Sequence, residues 1–167
     1  MNLDRIAVIG ISASGKSTFS RALAARTGLP LRHGDQLDWL ANWGVRPQDE
    51  LNVIHNAWIA EPRWIIEGWI DVGRTARLDT ADLVIDLDFS AARCAARVLR
   101  RMLVAERRPE MPPGCVDRFS WQTLDWVLWK KERPAIDAAL GAAKLKSYVR
   151  LRTPRAATKW LQSLSAR

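Results

Sequence analysis

Gly10, Gly15, Lys16 and Ser17 could together hold a phosphate. They stand in Gly10-Ile11-Ser12-Ala13-Ser14-Gly15-Lys16-Ser17-Thr18, which fits the spacing G-x-x-x-x-G-K-[ST]. Glycines at both ends permit backbone angles that a Cβ blocks, so the N–H groups of Ser12, Ala13, Ser14 and Gly15 can turn toward phosphate oxygens. The following helix adds the positive end of its dipole. In this motif the lysine reaches the β- and γ-phosphates and the hydroxyl ligates Mg²⁺, so Lys16, Ser17 and Thr18 predict ATP and Mg²⁺ as cofactors.

Two carboxylates read as partners of that loop. Asp35 follows the apolar run Pro30-Leu31 in the turn Gly34-Asp35-Gln36, and Glu67 closes Trp64-Ile65-Ile66 just before Gly68. Ligands of open α/β sheets bind beyond the carboxyl ends of the strands, so both acids are expected on the loop's edge of the sheet. Asp35 is then a candidate to orient or deprotonate an acceptor, with a helix cap as its structural alternative, and Glu67 a candidate to hold a water of the Mg²⁺ shell. His33 reads as a strand-end residue.

The elements that must position these groups are legible as alternating apolar runs and helical periodicities. Ile6 to Ile9 predicts a buried strand, Lys16 to Arg26 a helix stopped at Thr27-Gly28, and residues 30 to 33 a second strand. Trp39, Trp43 and Gly44 form a loop with aromatic walls, and Pro47 opens a helix to about Ala60; residues 39 to 60 read as a helical insert flanking the acceptor. Strands follow over residues 62 to 68, 81 to 88 and 147 to 151. A helix begins at Ser90 and carries Arg93, Arg97, Arg100 and Arg101 toward Arg108. Like charges at i and i+4 repel unless an anion lies among them, which points to a phosphate clamp. The break Arg107-Arg108-Pro109-Glu110-Met111-Pro112-Pro113-Gly114 has few apolar anchors, and residues 107 to 118 are expected to form a lid. A long helix runs from about Asp117, with Pro134 kinking it or starting a second one, and a closing helix spans Arg155 to Leu164.

Composition narrows the classes. The 167 residues suit one α/β domain, and no apolar run approaches the ~20 residues of a membrane span. With no secretion signal visible, a cytoplasmic protein without a membrane partner is expected. Cys94 and Cys115 form neither a disulfide framework nor zinc-ligand spacing and are expected to be reduced. The net charge of +8 favours anionic partners, yet 20 of the 26 cationic residues are Arg and five of these fall between Arg97 and Arg108. That concentration argues for one phosphate site over a diffuse nucleic-acid sheath, which stays a weaker possibility. Of the nine Trp, Trp58, Trp121, Trp126 and Trp129 are expected in the core or lining a groove. Nothing in the sequence fixes the oligomeric state.

With these residues in place, the chain resembles the adenylate kinase-like P-loop kinases, and within them the bacterial DNA topology modulation proteins. The resemblance rests on Gly10 to Thr18, His33-Gly34-Asp35-Gln36-Leu37-Asp38-Trp39, Trp64-Ile65-Ile66-Glu67-Gly68, Arg97-Val98-Leu99-Arg100-Arg101, Arg108-Pro109-Glu110-Met111, and the Trp-rich helix ending in Arg133-Pro134. It implies a three-layer P-loop NTPase fold with a five-stranded parallel sheet in order 2-3-1-4-5. It also implies that Arg97 lies against the adenine, that Arg101 and Arg108 hold transferring phosphates, and that Arg152-Thr153-Pro154 lines the base pocket. Asp35, Trp39, Gly68 and Arg77 are the acceptor-side candidates. Two departures stand out: Glu67 replaces the usual Asp before Gly, and Gly68-Trp69-Ile70 lacks the Phe-Pro-Arg that adenylate kinases place beside AMP. The expected activity is transfer of the ATP γ-phosphate to a small acceptor, and its rival is a nucleic-acid-associated ATPase or regulator of DNA topology.

Overall fold

In the computed structural model, residues 3–104, 108–116 and 119–164 are described. Their strands form one parallel sheet, with β1 (Arg5–Ile9), β2 (Leu31–His33), β3 (Trp64–Glu67), β4 (Leu83–Leu87) and β5 (Tyr148–Leu151) in the order β2-β3-β1-β4-β5. The order is the one expected. β1 is central, and Ile6 to Ile9 are wholly buried, as a continuous β-branched run covered on both faces should be.

Register decides where the acids fall. Val8 pairs with Glu67 on one side of β1 and Ile9 with Asp86 on the other, while His33 pairs with Glu67 across the next step. Two buried carboxylates therefore flank the point where β1 gives way to Gly10.

The helices are α1 (Lys16–Thr27), α2 (Gly34–Asp38), α3 (Gln48–Ala60), α4 (Ala76–Thr80), α5 (Ala91–Val104), α6 (Trp121–Leu128), α7 (Arg133–Ala142) and α8 (Pro154–Ser163). Gly28, at φ 66°, ends α1 by donating its N–H to the Ala24 carbonyl, which is why the Thr27-Gly28 stop was legible. Phe19 of α1 packs on Trp160 of α8 at 6.0 Å between ring centroids.

One alternative is decided and two expectations change. Pro134 belongs to a second helix: α6 starts at Trp121, capped by Ser120, whose hydroxyl accepts from the Thr123 N–H, and the chain breaks near Lys130 at φ 46° before α7 begins. Pro134 sits in the first turn of α7, where its missing N–H costs nothing. The expected start at Asp117 lies outside the described residues. The helical Trp residues are not uniformly internal either. Trp58 packs against the core, but Trp121 and Trp129 are about three-quarters exposed and Trp126 is also exposed, because α6 buries only Leu124 and Val127. Finally, residues 108–116 are better anchored than their composition suggested, with Met111 and Cys115 both buried.

Both cysteines are free and buried, and no helix among the described residues is long and apolar enough to cross a membrane.

His55 of α3 is 4% exposed, and burial, followed by the charges of Arg77 and Arg74, holds its pKa down to about 4. The unfolded chain keeps the ordinary value of 6.5, so it binds the proton more tightly. The contribution is therefore complete above the unfolded pKa and is lost as pH falls toward the folded one. Between about pH 7 and about pH 4.5 this group should remove on the order of 2 kcal/mol of stability. Urea unfolding of the wild type and His55→Gln at the two pH values checks it. Equal losses in both proteins would exclude His55 as the source.

Candidate functional site

The loop between β1 and α1 is shaped by what cannot fit there. A Cβ on Gly10 (φ 144°) would lie 2.6 Å from the Leu87 carbonyl oxygen and 2.9 Å from Ser14 Oγ; on Gly15 (φ 92°) it would meet Arg97 Nη1 at 2.9 Å. Both positions therefore need glycine. Ala13 also takes a left-handed angle, φ 59°, and the Ser14 N–H closes the turn on the Ile11 carbonyl at 3.1 Å. α1 starts from Gly15 without a side-chain cap, which leaves the N–H groups of its first turn to a ligand. The Ser14 hydroxyl is buried with no protein partner. Lys16 bends back so that Nζ donates to the Gly10 and Ile11 carbonyls at 3.0 and 3.1 Å, holding its ammonium over its own loop. A row of donors around a cradle that a side chain would fill fits the phosphates of a nucleotide.

The metal-side residues meet on Glu67. Its Oε1 accepts from Ser17 Oγ at 3.1 Å and lies 2.7 Å from His33 Nδ1. Ser17 Oγ and the carboxylate are hard oxygen donors, and among the described residues no group of three His, Cys, Asp or Glu is arranged to enclose a metal. That donor set suits Mg²⁺, which keeps several waters and takes the rest of its shell from phosphates. His33 is the strand-end residue expected, and its bond to Glu67 also fixes that carboxylate.

Asp35 faces Glu67 and Lys16 across the cleft. Burial raises its carboxyl pKa above the ordinary aspartate range; Lys16 opposes this, Glu67 adds to it, and Arg108 also opposes it. The helix-cap alternative does not describe it: α2 has His33 at its N-cap without a side-chain cap, and Asp35 Oδ2 instead takes Arg108 Nη1 at 3.1 Å. Trp39 lines the same cleft and stands edge-on to Trp43, 5.3 Å between centroids at 84°.

Two acceptor-side candidates fall elsewhere. Arg77 is 1% exposed, donates to the Trp69 carbonyl at 2.6 Å and has its pKa lowered to about 10, first by burial and then by Arg74. It serves the interior because α4 turns its side chain beneath the segment after β3. Gly68 does not line the cleft; a Cβ there would lie 2.9 Å from Gly34 Cα, so it allows β2 and β3 to approach at their ends.

The cleft measures about 1070 Å³ and is lined by seven Lys and Arg side chains against three carboxylates. Arg97 lies over the loop, Nη1 donating to the Ala13 and Ser14 carbonyls at 3.2 and 3.0 Å, with its guanidinium 5.5 Å from the Phe89 ring centroid. Arg100, Arg101 and Arg108 line the same space. Arg93, on the expected clamp face, is exposed and outside it, two turns before Arg100 on α5. Pro154 lines the cleft, whereas Arg152 is exposed and does not, since the chain turns at Thr153, whose hydroxyl caps α8 by accepting from Ala156 N–H. Ser12 and Thr18 complete the lining around the loop.

Residues 108–116 border the cleft through Arg108, Pro109, Glu110 and Val116. Glu110 takes Arg21 of α1 at 3.0 Å, Asn42 N–H donates to the Pro113 carbonyl at 3.0 Å, and Trp43 N–H reaches Cys115 Sγ at 3.2 Å. The lid residues Arg107, Asp117 and Arg118 lie outside the described residues.

The sequence reading missed Glu132. Its carboxylate accepts from Ser12 N–H and, at 2.7 Å, from Ser12 Oγ. A contact across 120 residues between a helix junction and the loop carries no local signal.

No family model and no curated protein matches this sequence. Solved structures do. Shikimate kinase from Acinetobacter baumannii in complex with shikimate is 19% identical, with a TM-score of 0.59 over 96% of this chain and 92% of that one. A sugar kinase from Janibacter sp. is 17% identical, TM-score 0.53, over 95% and 92%, and a gluconokinase from Sinorhizobium meliloti 18% identical, TM-score 0.53, over 96% and 92%. At these identities the likeness is one of fold: the chain has the α/β architecture, built on a five-stranded parallel sheet, that these kinases share.

Proposed function

We propose that the protein is an ATP-dependent, Mg²⁺-requiring phosphotransferase that moves the γ-phosphoryl group of ATP to a small-molecule acceptor. The observation that carries this reading is the convergence on one cleft of the Gly10–Thr18 loop, the Ser17–Glu67 pair at 3.1 Å and a second carboxylate, Asp35, on the acceptor side. The kinases of the same fold support it.

Little covalent chemistry is asked of the protein in such a transfer; catalysis comes from alignment and from fixed charge where negative charge spreads. Ser17 and, by way of water, Glu67 would hold Mg²⁺, which would supply neutralisation of the phosphate charge. The first-turn N–H groups of α1 and Lys16 bind the phosphates, while Arg97 packs toward the base end and Arg101 and Arg108 bring positive charge to the transferring group. Asp35 orients the acceptor hydroxyl and accepts its proton, and its raised pKa makes it a better base than an exposed aspartate. Pairing with Arg108 ties the carboxylate to the segment that closes the cleft. Two free, buried cysteines suit a reducing compartment such as the cytoplasm.

The net charge of +8 and the resemblance to DNA topology modulation proteins favour a second reading, an ATPase acting with nucleic acid. ATP turnover separates the two when measured with nucleoside monophosphates, nucleosides and small polyols, and with DNA at two salt concentrations. The kinase reading expects one acceptor class to stimulate turnover. Stimulation by DNA alone, weakening steeply with salt, would favour the other.

The segment from Arg108 to Val116 is expected to act as the lid. Its Met111, Cys115 and Val116 N–H groups donate to carbonyls of their own segment, so these amides report its closure. Hydrogen exchange should slow about tenfold or more when a non-hydrolysable ATP analogue and Mg²⁺ are added. Equal exchange with and without the analogue would make the segment a fixed loop.

A further inference from the structure

A carboxylate on the phosphate loop is an anomaly, because that loop's donors are the groups an anionic ligand needs. Glu132 nevertheless accepts from both the N–H and the hydroxyl of Ser12. It is held there. The junction between α6 and α7 is pinned on either side of Glu132: Lys130 Nζ binds Asp88 Oδ1 at 2.8 Å, and Arg133 Nη1 binds the fully buried Asp86 at 2.7 Å. Arg150 and Tyr148 of β5 complete the mount, reaching Asp88 at 2.8 Å and Asp86 at 2.9 Å. Both aspartates stand at the end of β4, beside the strand that feeds the loop. Lys130, at φ 46°, makes the turn that lets three consecutive contacts point at one edge.

The contact divides the loop. Ser12 N–H is taken by Glu132 and Ser14 N–H by the Ile11 carbonyl, so these two amides of the loop are satisfied within the protein. The uncapped first turn of α1 is left with donors to offer. We propose that Glu132 is a positioning residue for nucleotide binding: it fixes the first half of the phosphate loop and so directs the ligand's phosphates to the first turn of α1. This rests on the nucleotide-binding reading above. Geometry is what matters in this role, since a carboxylate and phosphates repel; an uncharged acceptor of the same shape does the work equally well.

Glu132→Gln and Glu132→Ala separate shape from absence. Gln can accept from Ser12 N–H and donate to Ser12 Oγ, whereas Ala can do neither. Two quantities are read for each: amide exchange at Ser12 by NMR without nucleotide, and the Mg-ATP dissociation constant by calorimetry. In Glu132→Ala, Ser12 exchange is expected to accelerate and the dissociation constant to rise, each about tenfold, the loss of one charge-assisted hydrogen-bond pair. In Glu132→Gln both are expected within about threefold of wild type, because the donors remain satisfied.

Thermal unfolding without nucleotide identifies a variant that has merely lost its fold, and Glu132→Gln then carries the comparison. Unchanged ATP affinity in a folded Glu132→Ala overturns the proposal. So does a Glu132→Gln protein as impaired as Glu132→Ala, since the charge and not the shape would then matter. A wild type that binds no ATP overturns the nucleotide reading itself, a result separable from a failed contact because Ser12 exchange is measured without ligand.

Discussion

Lys16→Ala is expected to abolish phosphate transfer and the stabilisation that Mg-ATP gives the fold. In the free protein its ammonium rests on the Gly10 and Ile11 carbonyls, over the loop that the phosphates would enter. Among the described residues no other lysine lines the cleft, and the arginines there approach from α1, α5 and the 108–116 segment. Loss of a fixed charge aimed at the transferring group typically costs about 10²–10³ in rate, or roughly 3 to 4 kcal/mol of barrier. In binding, a wild type at about 100 times its dissociation constant gains about 2.7 kcal/mol of stability, which a thermal shift reads directly. A variant with the wild-type shift would remove Lys16 from the nucleotide site.

Asp35→Asn is expected to separate binding from transfer. The carboxylate stands on α2 across the cleft from the loop and pairs with Arg108, so its amide analogue leaves the phosphate-binding groups in place while removing the base. General-base removal costs ~10²–10⁴ in rate, about 3 to 5 kcal/mol. The measurement is kcat for the best acceptor beside the dissociation constant for ATP. Burial raises the Asp35 pKa, so the wild-type rate should fall as pH drops through that raised value and the carboxylate takes up its proton. The residual activity of Asp35→Asn should lack that limb. Transfer by the variant near the wild-type rate would show that another group meets the acceptor.

What the sequence reveals here is what local chemistry encodes. Gly10 and Gly15 are set by angles no other residue adopts cheaply, and Asp35 and Glu67 are placed by strand ends, so motif and edge were both legible. Sheet order followed from resemblance, and the register then explained why Glu67 and Asp86 flank β1. Contacts made across the fold were not legible. Arg77 is an acceptor-side candidate by sequence, but its buried side chain donates to the Trp69 carbonyl. Pro134 does open a second helix, but the turn before it sits at Lys130, where ion pairs to Asp86 and Asp88 hold the junction. Glu132 and His33 likewise make contacts far along the chain, with Ser12 and Glu67. Trp121 lines a groove between α5 and α6, as its type suggested, but the exposed Trp126 and Trp129 mislead, because α6 buries only Leu124 and Val127.

The fate of the γ-phosphoryl group tests the proposed reaction most directly. With γ-labelled ATP, Mg²⁺ and the acceptor that best stimulates turnover, the label is expected on an acceptor hydroxyl, with transfer absent without Mg²⁺ and in Lys16→Ala and strongly slowed in Asp35→Asn. Label released only as inorganic phosphate, at a rate independent of every acceptor and unchanged in Asp35→Asn, would contradict a phosphotransferase and leave an ATPase in its place.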